Sequence, residues 1–309
     1  MAAQFLTRVF GYAEEMLCFV VVAEEMAAGA RGWANGTLSS LYYLGAGIAS
    51  VVFMAITLLP YGWRSIYVIG AVPLFLVAWL RKRLPETRRF AEREQLTKSI
   101  SKAAATWSLL KDIARQYPGR VATVIIAAAA FGFAISPATL LAQKYLQDVY
   151  QYTPAQVSLI LIPGGLIGLG LTIAAGRLSD RLGRKPMAIS MAALAGISFF
   201  FFFNNAPGWS VPLLWVLGFF RFFSADTLIA GFALEIVPTH YRATVGGLRY
   251  AIEIGVGAAA LALEGVLYDR LGGHGPAIQW LLASIPITMI AVLFLPEPAG
   301  KTLEEMSGA

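Results

Sequence analysis

The chain has 309 residues, of which 58% are hydrophobic and 14% charged, and its formal net charge is +6. Soluble domains carry about 25% charged residues, so the composition excludes an ordinary water-soluble protein. The positive charge does not indicate nucleic-acid binding, because the cations cluster between apolar segments and the sequence carries no nucleic-acid-binding motif. A single cysteine excludes an internal disulfide.

Apolar segments long enough to cross a bilayer, which takes about 20 helical residues, recur along the whole chain. We predict nine of them, at roughly 5–27, 33–58, 63–80, 119–141, 154–176, 186–204, 210–237, 243–267 and 276–295. Membrane helices tolerate internal proline, as expected here at Pro73, Pro137, Pro163 and Pro286. The aromatic run Phe199–Phe203 is expected to face lipid.

The third and fourth segments are separated by a long cationic stretch, 81–117. We predict a cytoplasmic linker there, with an amphipathic surface helix around Trp107–Leu110. It divides the chain into a partial N-terminal half (1–80) and a C-terminal half (118–309). Alternating the loops between the two sides puts 18 of the 24 Lys and Arg residues on the linker side. Cytoplasmic loops are enriched in these residues, so the linker and the C-terminus are predicted to be cytoplasmic.

Landmarks in the first three segments recur in the last three. Arg31 precedes Pro85 by 54 residues, Arg242 precedes Pro296 by the same number, and both prolines begin a Pro-Glu pair. Parallel repeats of this kind are typical of transporters. Three segments precede the second copy but not the first, so we expect that about 100 residues, or three helices, are missing before Met1.

Residues 176–185 read Gly-Arg-Leu-Ser-Asp-Arg-Leu-Gly-Arg-Lys. This string resembles the loop signature Gly-x-x-x-Asp-Arg-x-Gly-Arg-Arg/Lys of the major facilitator superfamily. The resemblance implies an all-α polytopic membrane protein with the major facilitator fold. About nine spans would then correspond to helices 4–6 and 7–12 of a twelve-helix fold.

The same resemblance implies a gate built around this loop. Asp180 would lie at the start of the helix that begins near Trp33, where a helix N-terminus favours negative charge. Arg181 and Arg184 would pair with Glu235 and latch the cytoplasmic side. The gating residues implied in this way are Gly176, Asp180, Arg181, Gly183, Arg184, Lys185, Glu235, Arg31 and Arg242.

The segments 84–90 and 296–305 look like the Pro-Glu-Ser/Thr motifs of sugar porters and metabolite:proton symporters. The segment 119–141 lacks the paired glutamines of many sugar porters. The resemblance therefore favours the metabolite:proton branch.

Charges inside apolar segments are candidates for substrate or proton binding, since each costs about 2.5–3.5 kcal/mol at the bilayer centre. Those candidates are Glu14, Glu15, Arg221, Asp226, Arg249 and Glu253. Asp226 ranks first for proton coupling, because it lies midway along its segment with no arginine on its own helical face. The alternative is that these charges form buried ion pairs that hold helices together.

These features together predict proton-coupled symport of a small organic metabolite by alternating access. The alternatives are a proton-coupled efflux antiporter and a non-transporting remnant or sensor. We expect no enzymatic activity, no cofactor, no metal and no nucleic-acid partner. The expected partners are the solute, protons and a lipid bilayer, and a full-length chain is expected to be a monomer. The expected location is the plasma membrane, as a multi-pass protein of a bacterial inner membrane.

Overall fold

The computed structural model describes residues 2–54, 59–83, 102–302 and 305–306. Every regular element within these ranges is helical. The helices are α1 (Ala2–Glu25), α2 (Arg31–Met54), α3 (Trp63–Arg81), α4 (Lys102–Gln116), α5 (Pro118–Asp148), α6 (Pro154–Leu182), α7 (Arg184–Phe202), α8 (Val211–Glu235), α9 (Arg242–Leu271), α10 (His274–Leu282) and α11 (Ile285–Phe294). A 3-10 turn, Thr239–Tyr241, precedes α9.

Six described segments are long and apolar enough to cross a membrane. They are Pro118–Asp148, Gln156–Leu182, Arg184–Phe202, Val211–Glu235, Thr239–Leu271 and His274–Phe294. The apolar stretch Arg64–Leu80 is shorter. The helical architecture is as predicted, whereas the count of nine spans and the division into halves remain predictions. The end of the second segment (55–58) and residues 84–101 of the linker, which include the Pro85-Glu86 pair, lie outside the described residues.

The last predicted span is not one continuous helix, because α10 ends at Leu282 and α11 begins at Ile285. Pro286 occupies the first turn of α11, where its missing N–H costs nothing. Ser284 Oγ lies 2.8 Å from the carbonyl oxygen of Ala130 on α5. The expectation that Pro286 sits inside an uninterrupted helix is therefore wrong, and a turn bonded to α5 replaces it.

The aromatic run at the end of α7 is only partly exposed. Phe199, Phe202 and Phe203 are buried, whereas Phe200 and Phe201 are exposed. At 3.6 residues per turn the buried rings share one helical face, and there they meet Tyr145 of α5, whose ring centroid lies 4.8 Å from that of Phe203. The prediction that the whole run faces lipid is wrong for these three rings.

Most of the charged residues that form the candidate functional site lie between α1 and α2 on one side and α6, α8 and α9 on the other. Glycines let α2 approach α6 closely: a Cβ added to Gly176 would lie 3.0 Å from the carbonyl carbon of Gly32 and 3.1 Å from Gly36 Cα. Small residues permit such approach in membrane bundles. In contrast to these closely packed helices, α3 has few packing contacts with the other described helices, and most of its described side chains are exposed. In the predicted linker, α4 buries Ile113 against the core.

Candidate functional site

Asp180, in the last turn of α6, caps the first turn of α2. Its Oδ1 accepts a hydrogen bond from the Gly32 amide and its Oδ2 accepts one from the Trp33 amide, each at 2.8 Å. The first N–H groups of a helix have no intrahelical acceptor and carry partial positive charge, so a carboxylate suits this position. The predicted placement of Asp180 is observed, while its gating role remains a proposal.

Arg184, at the start of α7, connects Asp180 to Glu235 at the end of α8. Its Nη1 donates to Asp180 Oδ1 at 2.7 Å, and its Nε donates to Glu235 Oε1 at 3.1 Å. The Arg184 and Glu235 side chains are each only 1% exposed. A guanidinium with two acidic partners therefore ties α6 and α7 to α8, while Asp180 ties α6 to α2.

Arg181 does not take part in this arrangement. It is exposed, and it forms no ion pair with any described residue. The expectation that both Arg181 and Arg184 pair with Glu235 is wrong for Arg181. Consecutive residues of a helix lie about 100° apart around its axis, so Arg181 cannot share the direction of Asp180.

A contact that the sequence analysis missed involves Glu297, which follows α11. Its Oε1 accepts a hydrogen bond from the Arg184 amide at 2.7 Å, and its Oε2 accepts one from the Lys185 amide at 2.9 Å. Lys185 Nζ donates to the carbonyl oxygen of Leu293 at 2.9 Å. The turn at Gly183 that starts α7 has φ of 108°, a value that glycine adopts most readily. The Pro296-Glu297 pair is the available signal in the sequence, where it indicates the repeat and the branch but not a contact with α7.

The arginines that begin α2 and α9 are both buried at this end of the bundle. Arg31 Nη1 donates to the carbonyl oxygen of Lys301 at 3.4 Å, and its charge acts on Glu235. Arg242 Nε donates to the Leu234 carbonyl oxygen at 3.1 Å, and its Nη1 lies 3.7 Å from Glu24 Oε1 of α1. We use the name latch for the cluster formed by Arg31, Asp180, Arg184, Glu235, Arg242 and Glu297.

A second charged cluster lies deeper in the bundle, around Arg249 of α9. Its guanidinium bonds to Asp226 of α8 and, at 2.7 Å, to Glu253 one turn along α9. Arg249 is 1% exposed, Asp226 20% and Glu253 13%. The predicted pairing of Arg249 with Glu253 is present. Asp226 has no arginine on its own helical face, but Arg249 of the neighbouring helix binds it, which the sequence analysis did not anticipate. The ranking of Asp226 first for proton coupling remains a prediction.

Glu15 of α1 adds a third carboxylate to this cluster. Electrostatic interactions connect it to Asp226 and Arg249, yet it accepts no hydrogen bond from a described residue. Glu15 also lines a cavity of about 490 Å³ between α1 and α2. The cavity wall comprises Gly11, Tyr12, Glu14, Glu15, Cys18, Phe19, Leu38, Ser39 and Tyr42.

Arg221 lies apart from these carboxylates. It is 5% exposed, and its Nη1 donates to the sulfur of Met191 at 3.5 Å. Asp226, five residues further along α8, turns instead to Arg249. Among the described residues no group of three His, Cys, Asp or Glu side chains could hold a metal ion.

A profile of the Major Facilitator Superfamily matches residues 1–262. The chain belongs to this superfamily. Major facilitator proteins are transporters, so the protein is a multi-pass membrane protein of a transport family and not an enzyme.

Among curated relatives, the "Probable 4-methylmuconolactone transporter" of Cupriavidus pinatubonensis is 26% identical over 94% of this chain and 67% of its own length. The "Niacin transporter NiaP" of Acinetobacter baylyi is 25% identical over 93% of this chain and 70% of its own length. Among solved structures, the proton:xylose symporter XylE bound to 6-bromo-6-deoxy-D-glucose superposes with a TM-score of 0.69 at 21% identity, covering 94% of this chain and 70% of XylE. That likeness establishes the major facilitator fold.

Proposed function

We propose that this protein is a proton-coupled symporter that moves a small organic metabolite by alternating access. The observation that carries the proposal is the cluster in which Arg249 binds Asp226 and Glu253 beside the cavity-lining Glu15. A symporter needs an ionisable group that reaches both water and the interior of the protein, and intramembrane carboxylates serve that purpose in proton-driven transporters.

The charges of the cluster do not balance when every group is ionised. Three carboxylates face one guanidinium, which gives a formal net charge of −2. Uncompensated charge in a low-dielectric interior is costly, and a proton on Glu15 reduces the imbalance to −1. Because Glu15 lies in the cavity wall, a solute bound there would sense its protonation directly. Asp226 and Glu253, both held by Arg249, would transmit the change between α8 and α9.

The latch supplies the second element that alternating access requires. Its contacts join α2 to α6 through Asp180, α7 to α8 through Arg184, and α7 to the segment after α11 through Glu297. While these contacts persist, the helix ends at this face of the membrane stay together, and solute enters or leaves the cavity from the opposite face. We assign the latch to the cytoplasmic face of a bacterial plasma membrane, because the cationic loops lie on that side.

The relatives are consistent with a small metabolite as the solute. One is named as a niacin transporter, and niacin is a carboxylic acid that is ionised at neutral pH. Another is named for 4-methylmuconolactone. The structural neighbour is named as a proton:xylose symporter, and proton coupling in the present protein is our proposal.

The test is proton movement in liposomes that contain the purified protein and a pH-sensitive dye. Addition of nicotinate or xylose outside should acidify the lumen if solute and proton enter together. Glu15→Gln should abolish uphill accumulation driven by a pH gradient but allow counterflow exchange. Asp269→Asn, which removes an exposed carboxylate from the end of α9, should behave as wild type. Proton movement opposite to the solute would establish an antiporter, and uphill accumulation by Glu15→Gln would remove Glu15 from the mechanism.

A further inference from the structure

Arg221 is a buried cation with no acidic partner among the described residues. Its Nε and Nη2 have no hydrogen-bond partner there, and its one described hydrogen bond goes to the weak acceptor Met191 Sδ. The other buried arginines in the described helices each have a carboxylate nearby. Arg184 has Asp180 and Glu235, Arg242 has Glu24, Arg249 has Asp226 and Glu253, and Arg31 interacts electrostatically with Glu235. Arg221 differs from all four.

An unpaired guanidinium at this depth is too costly to be helix filler. Arg221 lies ten residues from the start of α8, about 15 Å along the helix at 1.5 Å per residue. Charged residues inside membrane spans are rare and usually mark a pathway for substrate or ions. Within the described residues the protein supplies no counter-charge, so a negatively charged ligand is the group that would complete this environment.

Three hydroxyl groups, on α2, α6 and α8, form a connected series that begins with Tyr43 beside Arg221. The phenol of the buried Tyr43 in α2 interacts with Arg221 and with Thr172 of α6. Thr172 Oγ1 lies 2.9 Å from Ser224 Oγ, on α8 one turn from Arg221. A guanidinium with neighbouring hydroxyl donors is well suited to carboxylate or phosphate oxygens. These four side chains come from α2, α6 and α8, and α2 also lines the cavity.

Aromatic rings separate this group from the cavity. Tyr42 lines the cavity, and its ring stacks on Phe223 with centroids 6.0 Å apart. The ring centroid of Tyr43 lies 5.8 Å from that of Phe223 and 5.2 Å from that of Phe220. A solute that reaches Arg221 from the cavity therefore passes between rings, which favours a flat or apolar body behind a charged head group.

We infer that Arg221, together with Tyr43, Thr172 and Ser224, binds the anionic head group of an organic solute, and that Tyr42, Phe220 and Phe223 contact its apolar body. The transported metabolite is then an organic acid in its ionised form. The statement that the bound acid is transported rests on the proposed function. The binding site itself does not require proton coupling.

The test compares ligands that differ only in charge. Purified protein is titrated with nicotinate and nicotinamide, and with benzoate and benzamide, as competitors of radiolabelled nicotinate. Each carboxylate should bind about tenfold or more tightly than its amide, because a lost charged hydrogen-bond partner has at least that effect. Equal binding of acid and amide, or no binding of either acid, would overturn the inference, and these wild-type measurements need no variant.

Variants then assign the preference to Arg221. Arg221→Gln should abolish the preference for the carboxylate, whereas Arg221→Lys should keep it at lower affinity, because the charge remains but the forked donor is lost. Arg270→Gln, which removes an exposed arginine at the end of α9, should keep the wild-type preference. A carboxylate preference that survives in Arg221→Gln would place the anion site elsewhere. Stronger competition by inorganic phosphate than by benzoate would show that the aromatic rings play no part.

The two proposals fail in different ways. Proton-driven uptake restricted to neutral solutes would leave the proposed function standing and remove the anion site. Arg221-dependent binding of carboxylates without proton movement in liposomes would do the opposite.

Discussion

The short side chain of Asp180 accepts three hydrogen bonds. It accepts from two backbone amides of α2, and its Oδ1 also accepts from Arg184. A neutral amide at this position keeps the shape but has a single acceptor oxygen and no charge. The interactions with Arg184 and with the α2 N-terminus should both weaken.

For this reason we expect Asp180→Asn to lower the transport rate about tenfold while leaving membrane insertion intact, since charged hydrogen bonds contribute about 1.5–3 kcal/mol. The measurement is initial uptake in liposomes at equal protein content. Asp148→Asn is the matched control, because Asp148 is exposed and, among the described residues, its one ion pair is with the neighbouring Lys144 on α5. A normal rate in Asp180→Asn would exclude the latch from rate control.

Some contacts of individual residues can be predicted from the sequence and others cannot. The place of Asp180 was predictable only through the resemblance to the major facilitator loop signature, which implies an aspartate at the start of a helix in the other half. The bond between Arg249 and Asp226 was not, because the residues lie 23 positions apart on different helices. Within this cluster, Arg249 and Glu253 lie four residues apart on one helix, so helical periodicity could pair them.

Among the helices, α7 owes its N-terminal cap to a residue more than a hundred positions away. Gly183 occupies the N-cap position but has no side chain to accept a hydrogen bond. Glu297 takes over this role, because it accepts hydrogen bonds from the amides of Arg184 and Lys185. Loss of an N-cap costs about 0.5–2 kcal/mol. We expect Glu297→Gln to lower the apparent melting temperature in detergent, as measured by aggregation or intrinsic fluorescence.

The control for that change is Glu305→Gln. Glu305 also accepts from a backbone amide, that of Thr302 at 2.8 Å, but it is exposed. Its loss should cost less stability than that of Glu297. Equal shifts in the two variants would mean that the Glu297 cap adds nothing beyond a surface contact.

Close packing of α2 on α6 leads to a second prediction at this scale. Gly176→Ala would bring a methyl group against the backbone of Gly32 and Gly36, and overpacking of this kind costs about 1–3 kcal/mol. Separation of the helices would pull Asp180 away from the Gly32 and Trp33 amides, so we expect both lower thermal stability and slower transport.

Gly170→Ala on the same helix is the matched control, because a Cβ there would meet nothing within 4 Å. Alanine is the better helix former by about 0.5–1 kcal/mol, so this variant should be neutral or slightly more stable. If Gly176→Ala were as stable as Gly170→Ala, the close contact between α2 and α6 would not matter for stability.

Helix positions were predictable because apolar length and turn residues are local properties. The break at Ala283 and Ser284 was not, since it depends on a hydrogen bond from Ser284 to Ala130 on another helix. Burial of Phe199 was missed for the same reason: an all-apolar helix has no polar face to show which side meets protein.

At the scale of the whole molecule, the distribution of Lys and Arg predicts one orientation. Most cations lie on the side of the linker, the 177–185 loop and the C-terminus, and cytoplasmic loops carry this excess. We expect a fluorescent protein fused after Ala309 to fluoresce and a secreted alkaline phosphatase fused there to be inactive. Active phosphatase with no fluorescence would reverse the assignment of the latch to the cytoplasmic face.

The arrangement of the molecule was predicted less completely than its parts. The family motif gave the fold and the neighbourhood of Asp180. The cavity and the isolation of Arg221 depend on how α1, α2, α6 and α8 meet in space. The two-fold relation between the first and last three spans and the expected missing helices remain predictions.

One further consequence follows from the position of Cys18. It is the only thiol in the sequence, and it lies in the wall of the cavity beside Glu15. The 309-residue chain therefore carries a single attachment point for a fluorophore or spin label, at the place where solute is expected to bind. Conformational exchange of this chain could be followed spectroscopically without changing any of its 309 residues.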